Sequence, residues 1–161
     1  MVPINEAIET GAWLKVVCDI AHDYRCTGDA ALLEFRFRLR GFEKLDYSAY
    51  PPDESGKIDT EANIWILKMD IVSLYKNALK SDLFGDILDL KDKDGYVFGR
   101  CKDSDITLSS SFAEPTGIRK FFCSDIPPKI KRTGSFAYEL PEEFENLCIF
   151  ACYPKGKMTE V

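Results

Sequence analysis

Arg36, Arg38 and Arg40 recur at every second position, between Phe35, Phe37 and Leu39. In an extended chain that spacing puts three guanidiniums on one face over about 13 Å. A guanidinium is a rigid fork of donors that matches a carboxylate or phosphate in bidentate fashion. The stripe is therefore a candidate site for an anion or an acidic partner. The competing reading is a solvated face whose arginines pair with acids on adjacent strands. Lys129, Lys131 and Arg132 would extend the patch if their segment lay beside it. A second candidate is the loop around Pro51-Pro52, where Tyr47 and Tyr50 offer aromatic groups of the kind favoured at interfaces.

Nucleophilic chemistry has little to draw on. His22 is the single histidine, so any Ser-His-Asp or Cys-His arrangement would have to use it. It sits in His22-Asp23-Tyr24-Arg25, which reads as a polar surface turn. The six cysteines contain no Cys-x-x-Cys pair, and zinc-ribbon and redox spacings are missing. Cys18 and Cys148 fall in apolar runs and read as core thiols, whereas Cys101 and Cys123 read as exposed. Asp89, Asp92 and Asp94 suggest calcium, with Asp103 and Asp105 nearby. Counting back from Gly95, however, puts Leu90 and Cys101 at the first and last ligand positions of an EF-hand loop, which fails. No phosphate loop, dinucleotide fingerprint or nucleophile elbow is present. The expectation is no catalytic residue, no metal and no cofactor.

The balance of 27 acids against 21 bases gives a net charge of −6. That argues against general nucleic-acid binding, which needs a basic footprint, and against anionic membrane surfaces. No run approaches the roughly 18 apolar residues of a membrane helix. Met1 to Glu6 carries neither a basic nor an apolar leader region, which predicts a cytoplasmic protein with free thiols.

The elements that must position these residues are mostly strands. Residues 32–40 alternate strictly, which is the period of a strand with one face in the core. Gly41 is expected to end or bend it. Residues 12–20 and 64–74 are longer apolar, β-branched runs, read as buried strands. Phe84 to Leu90 reads as a strand, and Gly95 to Phe98 as its partner across an Asp94-Gly95 hairpin turn. Residues 75–82 fit either a helical turn or a loop. Residues 106–112, 134–140 and 147–153 are further strands, and the tail from Pro154 reads as loose. The sum is one domain over residues 1–161: an all-β, Ig-like antiparallel sandwich of about eight or nine strands with at most one or two helical turns.

Residues 62–153 resemble a bacterial group of small Ig-like, telokin-like sandwich domains. The resemblance is carried by the strand Trp65 to Ser73 and by the run Ile87 to Phe98 with its Asp-Gly hairpin. The closing pair Gly134 to Glu142 and Leu147 to Tyr153 completes it. Residues 1–60 have no counterpart in that group, nor is its usual export signal seen here. The resemblance implies the fold and little about activity.

Together these features predict a non-catalytic binding module that engages a protein partner as an adaptor, inhibitor or immunity-type protein. Two other classes stay open: a small-anion or nucleotide sensor using the Arg stripe, and a metal-dependent hydrolase using loop carboxylates.

Overall fold

The computed structural model describes residues 1–26, 31–45, 63–101 and 125–161. Tyr47, Tyr50, Cys123, Asp103, Asp105 and the strand expected at 106–112 lie outside the described residues.

Two antiparallel sheets face each other across a common core. The larger contains β2 (Leu14–Asp19), β3 (Leu32–Lys44), β4 (Asn63–Ser73), β9 (Arg132–Leu140) and β11 (Lys157–Glu160), in the order β11-β2-β3-β4-β9. The smaller contains β1 (Val2–Pro3), β6 (Leu88–Lys91), β7 (Val97–Phe98) and β10 (Cys148–Ala151), in the order β1-β10-β6-β7. A short pair, β5 (Leu79–Lys80) with β8 (Asp125–Ile126), and two helices, α1 (Ile4–Thr10) and α2 (Ser81–Ile87), complete the frame. The chain is an all-β sandwich.

The alternation in β3 does what period two requires. Leu33, Phe35, Phe37 and Leu39 are buried, and the arginines between them point outward. Phe35 meets Phe84 edge-on at 5.0 Å between ring centroids, which links β3 to α2. Tyr138 is fully buried and donates its hydroxyl hydrogen bond to the Leu88 carbonyl at 2.9 Å, which ties the sheets together. Each such aromatic contributes about 1.5–3 kcal/mol through burial.

Several expectations need correction. Gly41 does not end β3. The ladder to β4 slips between Leu39 and Gly41, so Arg40 and Gly41 together oppose Lys68. This bulge flips the parity, so Phe42 rather than Gly41 returns to the inward face opposite Leu67. Phe84 to Ile87 is not a strand but the second half of α2. Leu83, Phe84 and Ile87 are buried at helical spacing, and Asp82 sits in the first turn, where the helix dipole favours it. Gly85 lets the helix close onto its neighbours. A Cβ there would lie 2.4 Å from Arg100 Cδ and 2.6 Å from Phe136 Cε1.

The N-terminal residues form α1, with Ile4 and Ala7 buried and Gly11 closing the helix at φ 63°. The tail is not loose: β11 pairs with β2 from Lys157↔Val17 to Glu160↔Leu14. Cys101 is buried, not exposed, and Cys148 is half-buried rather than a core thiol. Cys18, Cys26, Cys101, Cys148 and Cys152 are free.

Candidate functional site

The three arginines project from the outer face of the larger sheet, but they are not equivalent. Asp70 on β4 stands opposite Arg38 and is almost fully buried. Its Oδ2 accepts from Arg38 Nε at 2.8 Å and from Arg40 Nη1 at 3.0 Å, while its Oδ1 accepts from the Thr133 hydroxyl at 2.5 Å. Burial opposes the charge on Asp70. The Thr133 hydroxyl and the two guanidiniums outweigh it and hold the carboxyl below its usual range. Arg38 also lies over the Trp13 ring, 4.9 Å from its centroid. Two members of the stripe thus serve an internal network, as the competing reading allowed.

Arg36 differs. Its β4 neighbour is Val72, its β2 neighbour is Lys15, and no described residue pairs with it. It borders a cleft of about 520 Å³ lined by Ala12, Trp13, Val72, Leu74, Glu160 and Val161. The bulge does not disturb this stretch, so β2 and β4 remain in register beside it.

Lys15, Arg36 and Lys157 share this outward side of β11-β2-β3 with Glu34 and Asp19, by the pairings Lys15↔Arg36, Lys157↔Val17 and Val17↔Glu34. The other half of the face is different, since Ile64, Ile66, Ser135 and Ala137 are buried there. Lys131 and Arg132 do not lie beside the stripe. β9 is separated from β3 by β4, and Arg132 stands opposite Ile71. Of that basic segment's neighbours, it is Thr133 that joins the stripe, through Asp70.

A second polar cluster was not legible in the sequence. Arg25 binds Asp23 in bidentate fashion, Nε to Oδ1 at 2.9 Å and Nη2 to Oδ2 at 2.7 Å. Its Nη1 reaches Asp86 at 2.8 Å and Asp82 at 3.3 Å on α2. Asp86 also binds Arg100 Nε at 2.8 Å, and the Tyr153 hydroxyl donates to Asp23 at 2.7 Å. The Arg25 guanidinium holds Asp23 well below the usual carboxylate range. His22 packs against Tyr153, 4.9 Å between ring centroids. The signal was spread over partners 57 to 130 positions from Arg25 or Asp23, since only folding brings Asp82, Asp86, Arg100 and Tyr153 to the turn.

Of the loop carboxylates, Asp92 is occupied. Asp92 Oδ1 accepts from the backbone N–H groups of Asp94 and Tyr96, both at 3.0 Å, and so braces the hairpin. Among the described residues no group of three or more His, Cys, Asp or Glu side chains converges as metal ligands would. Burial pushes the Cys18 and Cys152 thiols up to about 12, which keeps both protonated.

No protein-family model matches the chain, and no curated protein matches its sequence. Among solved structures it is similar to a secreted protein of Mycobacterium tuberculosis, MPT63. The identity is 9% and the TM-score 0.46, over 80% of this chain and 84% of that one.

Proposed function

We propose that this protein is a non-catalytic binding module, and that its partner is a protein segment carrying a carboxylate beside an apolar side chain. The segment enters the cleft at Trp13, with its carboxylate on Arg36. The observation that carries this reading is the difference between Arg36 and its neighbours. Arg38 and Arg40 are held by Asp70, whereas Arg36 has no partner among the described residues and borders a mainly apolar cleft. A charged fork beside an apolar wall suits a mixed ligand better than a bare anion. Lys15 and Lys157 on the same side of β11-β2-β3 add local attraction for such a segment, although Glu34 and Asp19 share that side and the whole chain carries −6. Kinship with Ig-like, telokin-like sandwiches and a cytoplasmic setting belong to the same proposal. The free thiols of the five described cysteines are consistent with that setting.

The test is an array of hexapeptides that pair Asp or Glu with Leu or Phe, read against amide-for-acid controls. Binders are expected, with affinity weakened at least tenfold by Arg36→Ala. An array with no binders, or binders indifferent to both Arg36→Ala and the acid-to-amide change, would overturn the reading. Preference for inorganic phosphate or nucleotides over every peptide would favour the anion-sensor class instead.

A further inference from the structure

A second cleft opens at the other end of the larger sheet, where the bulge has returned Phe42 to the inward face. It measures about 570 Å³, within the range of about 300–1,000 Å³ for small-molecule sites. Its wall is aromatic: Phe42 stacks on Trp65 at 4.8 Å with planes 27° apart, and Phe144 meets Trp65 edge-on at 5.3 Å. Asn5, Glu6 and Asn146 supply its polar lining.

Three observations constrain what fits. The Trp65 indole Nε1 is buried and finds no acceptor among the described residues. A buried donor left unpaired is costly, so an acceptor that reaches it is favoured there. Among the described residues no Lys, Arg or His lines the cleft while Glu6 does, which disfavours phosphates, nucleotides and carboxylates. The two amides donate and accept side by side, whereas a hydrocarbon would leave them unpaired.

We propose that this cleft binds a neutral sugar, with one C–H face of the ring against the aromatic wall and its hydroxyls on Trp65 Nε1, Asn5, Glu6 and Asn146. A pyranose combines an apolar C–H face with a rim of hydroxyls that both donate and accept. A quaternary ammonium ion would suit the rings and Glu6, but it has no acceptor for the indole. Asn146 holds the left-handed conformation, φ 54°, at the start of the turn into β10.

The site is independent of the Arg36 cleft, so either proposal can fail alone. The test screens the intact protein on an array of neutral glycans. It then titrates the best binder, together with maltose and cellobiose, by calorimetry. A neutral glycan is expected to bind, with at least a tenfold loss in Trp65→Phe, which keeps a ring and deletes the N–H. Asn146→Gly is expected to lose a similar factor, since it tolerates the positive φ and removes only the amide. Both variants should keep the wild-type circular dichroism spectrum and a cooperative melt. The proposal is overturned if no neutral glycan binds. It is equally overturned if binding survives both substitutions, or if a Pro-Pro peptide binds this cleft in preference to every sugar.

Discussion

Arg36 and Val72 face each other across the β3–β4 ladder, one outward rung away from Arg38 and Asp70. The two rungs have the same geometry and opposite consequences. Where β4 presents a carboxylate, the guanidinium is held in place. Where it presents a branched hydrocarbon, the guanidinium keeps its donors for something else and gains an apolar neighbour. A stripe of three identical residues is thereby divided, among the described residues, into a structural pair and an unpaired member by the residues of the next strand.

The Asp70 network should be measurable as stability. Asp70→Asn keeps the shape but removes the charge that two guanidiniums and Thr133 engage. Arg38 and Arg40 retain 29% and 49% side-chain exposure, so solvent softens the loss. A cost of about 2 kcal/mol is expected in urea denaturation. A double-mutant cycle with Arg38→Ala should show coupling. A loss under about 0.5 kcal/mol would mean that the network is ornamental.

Acid should unfold the protein through Asp23 and Asp70. Both carboxyls sit below their usual range in the folded state. As pH falls below about 4, the unfolded chain takes up protons that the folded chain refuses, so stability is present above that pH and is lost beneath it. Burial raises Asp89, which works in the opposite sense. Thermal melts between pH 7 and pH 2 should show a shallower acid decline in Asp70→Asn than in wild type. Parallel curves would contradict this.

The thiols should be quiet. Burial raises Cys18 to about 12, with Asp19 and Cys26 adding to it. Cys152 reaches about 12 through burial and then the Asp89 carboxylate. The Cys152 residue as a whole is exposed, but its sulfur lies 3.1 Å from the Asp86 carbonyl. At pH 8 a disulfide reagent should modify these two at least roughly a hundredfold more slowly in the native protein than in urea. Mass spectrometry of native and unfolded samples would check it, and prompt native labelling of Cys152 would contradict it.

Gly85→Ala should be among the most damaging single-methyl changes. The added Cβ would meet Arg100 Cδ at 2.4 Å and Phe136 Cε1 at 2.6 Å. Phe136 is fully buried and has no room to retreat, so α2 must shift. A loss of about 1–3 kcal/mol is expected from overpacking, against the gain Ala brings to an open helix position. An unchanged melting temperature would show that α2 moves freely.

Much of the frame was written locally. The alternation from Leu33 to Leu39 specifies a strand and its buried face, because side chains in an extended chain alternate whatever the strand pairs with. Asp92 and Gly95 specify a hairpin turn for the same kind of reason: they act within a few residues. The short helix α2 was hidden because Leu83, Phe84, Ile87, Leu88 and Leu90 satisfy both periods in so brief a segment. β11 was hidden because a polar edge strand carries no apolar pattern, only a neighbour to pair with.

The local pattern places Arg36, Arg38 and Arg40 on one outward face and makes the frame a β sandwich. Which arginine stays unpaired among the described residues is settled by the fold, because it depends on whether Asp70 or Val72 arrives opposite it across the ladder. Tertiary structure alone gathered Phe42, Trp65 and Phe144 into one cleft, since a one-residue slip at Arg40 reverses which side chains of β3 point inward. Both outcomes turn on register. Register is a property of pairs of strands, and the long-range contacts that set it have no counterpart in the local pattern of either strand.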